Sequence, residues 1–232
     1  MTGGIAVVLR RHKYAVLLVL LCFALALETV GARGADRFLS DAVASALAFA
    51  IWFVVFERRY ERAVMAATLI ATLAISWARF LSPTHPSHAL LLATDVAMSL
   101  FLWSAVFAIL RDLFNTRATG AENVLGAICG YLIAGNAWGR INELAYLLVP
   151  SAYSINPEVA ALLPNWFGRV ALFTYYAFCQ VLTIGYSDVT PIRAPATTLS
   201  LFAALFGVFY TAIVVSVFVG LAQSAKREGG KE

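Results

Sequence analysis

The chain has 232 residues, 61% hydrophobic and only 13% charged, where soluble domains run to about 45–50% apolar and about 25% charged. With 17 basic and 13 acidic residues, a formal net charge of +4 and a mean hydropathy of +0.80, it cannot clothe a water-soluble globule. A cytosolic enzyme, a secreted disulfide scaffold and a disordered chain are excluded, and a membrane protein is expected.

Uncharged apolar runs occur, in chain order, at Tyr14–Leu27, Ala42–Phe56, Ala63–Ala78, Val96–Leu110, Val124–Gly139 and Leu199–Ala222. Only the last reaches the roughly 20 residues that cross a hydrocarbon core unaided. The others need flanking residues, with Lys or Arg at their ends snorkelling to the interface. A seventh run, Val170–Ser187, is rich in aromatics and contains Gly185. The first run also fits a cleaved signal peptide, with Gly31–Ala35 as the cleavage region.

Basic residues orient the spans. Arg10, Arg11 and Lys13 precede the first; Arg58, Arg59 and Arg62 separate the second from the third; Arg111 and Arg117 separate the fourth from the fifth; Lys226, Arg227 and Lys231 come after the last. The positive-inside rule places all of these in the cytoplasm. The opposite loops hold the sparser Arg33, Arg37, Arg79, Arg169 and Arg193. Two cytoplasmic termini require an even number of crossings, so six helices span and Val170–Ser187 enters and leaves on one face. The fold class expected is an all-α membrane protein with a re-entrant segment between helices five and six. Irregular backbone at membrane depth must be buried in protein or line a watery cavity, which points to a permeation path or substrate site, or else to a hairpin buried for packing.

Isolated polar residues add little chemistry. Cys22, Cys129 and Cys179 lie in apolar stretches and read as small buried hydrophobes. His85 and His88 lack a third ligand nearby and read as exposed. The intramembrane Asp95 requires a partner, for which Arg79 and Arg140 stand at the right depth. Arg140 and Glu143 lie one turn apart on helix five. Such a network either couples the first four helices to the C-terminal half or pins the two halves together. Glu28, at the outer end of the first span, is expected to be solvated. The fourth helix has no arginine before Arg111, so steep voltage gating is not expected.

The segment VALFTYYAFCQVLTIGYSDVTPIRAP, continuing into the uncharged helix LSLFAALFGVFYTAIVVSVFVGLA, resembles the pore module of potassium channels: outer helix, pore helix, filter of the T-V-G-Y-G-D kind, inner helix. By this resemblance the filter would be Thr183-Ile184-Gly185-Tyr186-Ser187-Asp188, matching everywhere but Ser187 if Ile184 counts as Val. The resemblance covers roughly residues 116–232 and divides the chain into a four-helix bundle (1–115) and a pore domain (116–232). It implies a passive, non-enzymatic potassium channel in which the carbonyls of Thr183, Ile184, Gly185 and Tyr186 and the Thr183 hydroxyl replace the ion's water. The four-helix set is similar to bacterial six-span channels without a voltage sensor. One loop supplies a quarter of the coordinating ring, so a homotetramer in the bacterial inner membrane is implied, with the pore loop facing outside.

Ser187 replaces the second filter glycine, and a left-handed backbone there costs roughly 1–2 kcal/mol. The outer site is therefore in doubt, and a weakly selective cation channel or a non-conducting regulatory subunit are the alternatives. Gln180 and Leu182 also depart from the threonines common in the family. Tyr175 and Tyr176 resemble the aromatic cuff of the filter, one phenol reaching Asp188 or the surroundings of Tyr186; Gly207 matches the bend of gating inner helices or else marks close packing; Thr211 would face the cavity. The pore helix is expected at about Gly168–Leu182, capped by Asn165. The only bound species implied are permeant potassium ions and membrane lipids. No nucleic-acid partner is expected; a separate regulatory subunit is compatible with the sequence.

Overall fold

Ala and Leu are abundant in the apolar runs and favour helix, and apolar surroundings force each backbone to satisfy its own hydrogen bonds. In the computed structural model, which describes residues 13–31, 37–56, 59–81, 88–115, 121–185 and 188–229, the runs become α1 (Lys13–Gly31), α2 (Arg37–Val55), α3 (Arg59–Leu81), α4 (His88–Asn115) and α5 (Ala121–Leu148). Next come β1 (Tyr153–Ile155), the short α6 (Pro157–Ala160), α7 (Trp166–Val181), β2 (Val189–Pro191) and α8 (Ala194–Gly229).

Among the described residues, three stretches are long and apolar enough to cross a membrane: Arg59–Ala78 in α3, His88–Phe114 in α4 and Ala194–Val214 in α8. The chain is an integral, mainly helical membrane protein. This agrees with the all-α expectation, to which the structure adds one short ribbon of two three-residue strands. β1 and β2 pair antiparallel, with Tyr153 opposite Pro191 and Ile155 opposite Val189. Strands of three residues leave no alternating pattern long enough to read from sequence.

Helix α5 is the centre of the molecule and packs against α1, α4, α7 and α8. Glycines let each partner approach. A Cβ on Gly126 would stand 3.1 Å from the Tyr14 ring of α1, and one on Gly139 would stand 2.8 Å from Thr174 Cα of α7. One apolar core joins Leu17 and Leu21 of α1, Ile51 and Val55 of α2, Phe101, Val106 and Ile109 of α4, and Cys129 and Ile133 of α5. A second gathers Tyr153 of β1, Leu172, Phe173 and Tyr176 of α7, Val189 of β2 and Ala196 of α8. An aromatic row ties α4, α5 and α8: Trp103 meets Trp138 at 5.6 Å and Phe206 at 5.5 Å, and Phe206 meets Tyr210 at 5.5 Å.

Two small expectations change. Cys129 and Cys179 are buried, but Cys22 is exposed. Glu28 is not simply solvated. Its Oε2 is buried without a hydrogen-bond partner among the described residues, and the side chain lines a small cavity with Arg140 and Asn136.

Candidate functional site

α7 begins where the sequence provides a cap. Asn165 has an extended backbone (φ −87°, ψ 124°), and its side chain accepts from the Phe167 N–H at 3.3 Å, filling one of the donors a helix start leaves open. The helix runs Trp166–Val181, two residues earlier at its start than expected. It is buried almost throughout, against α5 on one side and α8 on the other.

It ends in a Schellman turn. The Thr183 N–H donates to Gln180 O at 2.9 Å and the Ile184 N–H to Cys179 O at 2.8 Å. Thr183 therefore holds the left-handed position that glycine usually fills, at φ +57°. A β-branched residue there is an outlier, costing roughly 1–2 kcal/mol. Gly185 comes two residues later at φ +72°, a value glycine adopts freely. Leu182, Thr183, Ile184 and Gly185 are all exposed, directly after the buried helix, and a Cβ on Gly185 would meet nothing within 4 Å. The Thr183 hydroxyl donates to Leu182 O at 2.7 Å, so its lone pairs stay open for a cation. Strained backbone concentrates at ligand clamps. This turn has that character.

Both sides of the turn are held. Tyr131 of α5 donates to Val181 O at 3.1 Å. Gly207 of α8 lies so close that a Cβ there would overlap Val181 O outright and stand 2.8 Å from its carbonyl carbon. Beyond the turn, the Asn156 N–H donates to Asp188 O at 2.9 Å and the Ile192 N–H to Ala152 O at 2.8 Å. Asp188 is thus stitched through its backbone to the β1 side of the ribbon. Tyr186 and Ser187, the two positions between that the sequence resemblance assigned to a filter, lie outside the described residues.

The other expected residues divide. The Tyr176 phenol is buried and 2.6 Å from Ser200 Oγ of α8; among the described residues it bonds α8 and not Asp188, because α8 is the element packed over that face. Tyr175 is 38% exposed. Thr211 is exposed, with its hydroxyl donating back to Gly207 O at 3.0 Å. His88 Nε2 lies 3.1 Å from Leu147 O, whereas His85 is outside the described residues. No group of three or more His, Cys, Asp or Glu able to hold a metal occurs among the described residues.

A buried charge chain runs beside α7. Asp95 of α4 and Arg140 of α5 approach to 3.5 Å, as the sequence suggested, and Arg140 lies 3.6 Å from Glu143. Sequence reasoning missed the next link: Arg169 Nε donates to Glu143 Oε1 at 2.8 Å. All four side chains are under 10% exposed. Arg169 had read as an outer-loop charge. The signal available was its position at the edge of an unbroken apolar run, where a guanidinium must find a carboxylate.

The ion channel family model matches residues 163–224, from just before the Asn165 cap, through α7 and the strained turn, and well into α8. No curated protein and no solved structure matches the chain. The match supports an ion-channel function for this integral membrane protein.

Proposed function

We propose that the chain is a potassium-selective channel that conducts passively as a homotetramer. Four copies of Thr183–Tyr186 form the ring, with carbonyl oxygens and the Thr183 hydroxyl replacing the ion's hydration shell. The observation that carries the reading is the exposed, strained Thr183–Gly185 turn delivered by a buried helix inside the segment matched by the ion channel model. The C-terminal end of α7, with its negative dipole, lies at this turn and favours a cation there.

In this reading six helices span the bacterial inner membrane, both termini are cytoplasmic, and the ribbon lies on the outside. Residues 1–115 form a sensor-less bundle and 116–232 the pore domain. Ser187 closes the outer end of the filter, Tyr175, Tyr176 and Asp188 support it, Thr211 faces the cavity, and Gly207 serves as the inner-helix bend as well as the seat for Val181. A second reading, a weakly selective cation channel, is favoured by Ser187 at the outer position where glycine would be unstrained.

Purified protein in liposomes, loaded with potassium or sodium and challenged with barium, tests both. Potassium flux stopped by barium and abolished by Gly185→Ala is expected. A sodium flux equal to that of potassium, lowered by Ser187→Gly, would select the second reading. Flux from neither the wild type nor Ser187→Gly would overturn conduction.

A further inference from the structure

We propose that Arg169 is a positioning residue for α7, and that Asp95 on α4 fixes it through the buried chain Asp95–Arg140–Glu143–Arg169. The inference rests on the conduction reading for its consequence, not for its geometry. Arg169 sits in the first turn of α7, the end where the helix dipole repels a cation. It is placed there 8% exposed, and Glu143 at 2.8 Å offsets the charge. Its Nη1 also reaches Leu163 O at 3.4 Å, so the same side chain holds the segment leading into the helix. Arg140 touches this turn too, its guanidinium 5.4 Å from the Trp166 ring. Glu143 is fully buried between the two arginines, and Asp95 anchors Arg140 from α4 at 0% exposure.

Buried ions hold one arrangement, because losing a partner leaves an uncompensated charge in a low dielectric. The chain therefore ties the start of α7 to a helix that otherwise does not form the conduction site. α7 is about 24 Å long at about 1.5 Å per residue, so a tilt of about 5° at its first turn displaces the far end, where Thr183 begins, by about 2 Å. A carbonyl ring cannot absorb that and keep its selectivity. The first four helices thus act on the filter without carrying a voltage-sensing charge.

The test uses the full chain in liposomes, reading hydrogen exchange of the α7 amides and the potassium-to-sodium flux ratio on the same preparation. Glu143→Gln and Arg169→Gln are expected to speed exchange in the first turns of α7 about tenfold and lower the flux ratio by a similar factor. Asp95→Asn should move both quantities in the same direction by about threefold. Arg169→Lys, which keeps the charge, should recover most of the exchange protection, and it also serves where the glutamine variant does not fold. Wild-type exchange and flux ratio in Asp95→Asn, with Glu143→Gln altered, would overturn the link to α4. An Arg169→Lys variant no better protected than Arg169→Gln would overturn the role of the charge. If the wild type passes no ions while α7 exchange responds as stated, positioning stands and the conduction reading fails.

Discussion

Gly207→Ala separates two explanations of one glycine. The added Cβ would overlap Val181 O and stand 2.8 Å from the carbonyl carbon and 3.0 Å from Cα. These are backbone atoms, so no rotamer change relieves the clash. Restoring an ordinary 3.4 Å contact to the carbonyl carbon requires the end of α7 and α8 to part by about 0.6 Å, and the oxygen requires more. Overpacking of this kind costs typically about 1–3 kcal/mol. The separation also pulls Val181 O from the Tyr131 hydroxyl, now 3.1 Å away, which adds about 0.5–1.5 kcal/mol. For a chain of this size each kcal/mol lowers the melting temperature by about 2–4 °C, so a loss of roughly 3–18 °C is expected in detergent, monitored by circular dichroism and gel filtration. On the proposed function, potassium flux should fall in parallel, since Val181 leads into the Thr183–Gly185 turn. A glycine acting solely as a bend predicts something else: altered open probability at an unchanged melting temperature. That result would refute the packing argument.

The same geometry fixes three further outcomes. Thr183→Gly relieves a backbone at φ +57° and should match or exceed wild-type stability, by up to about 1–2 kcal/mol, while potassium flux falls for want of the hydroxyl; a clear loss of melting temperature would contradict the strain. Tyr176→Phe removes the 2.6 Å bond to Ser200 and should cost about 0.5–1.5 kcal/mol, read as a modest drop in melting temperature, whereas Ser200 keeps its bond to Ala196 O. Gly139→Val drives two methyl groups into the Thr174 backbone, already 2.8 Å from a bare Cβ; loss of the folded protein on gel filtration is expected, and a normal profile would show that α5 and α7 do not meet as described.

Much of this architecture is legible in the residues alone. The helices come from uncharged runs. The start of α7 comes from Asn165 after Pro164, and the pairing of Asp95 with Arg140 comes from the expense of a carboxylate at depth. What escaped were contacts made by sequence-distant residues. Glu143 already had an acceptable partner in Arg140 one turn away, so nothing in the sequence asked for Arg169. Arg169 in turn had an acceptable place in the outer loop, and orientation rules count such residues without locating them. The resemblance to an aromatic cuff offered Asp188 or the surroundings of Tyr186 to one phenol of Tyr175 and Tyr176, but a helical side chain bonds whatever packs on its face, for Tyr176 Ser200 of α8. The ribbon escaped because each strand contributes only three residues, and its pairing depends on the loop after α5 returning to the exit of the turn.

Thr183 joins these levels. A helix that only needed to stop would do so most cheaply with glycine at the left-handed position of its Schellman turn. Thr183 holds that position although it is β-branched and although exposure gives its side chain no core to fill. Packing therefore does not explain the residue. Helix termination does not either, since the hydrogen bonds to Cys179 and Gln180 are made by backbone N–H groups that glycine would also supply. What threonine adds is one oxygen, set at the end of a buried helix whose dipole is negative there, two residues before the glycine that lets the chain turn again. An oxygen kept at the expense of strain, in a place that attracts positive charge, is the local reason to read this turn as a cation ligand.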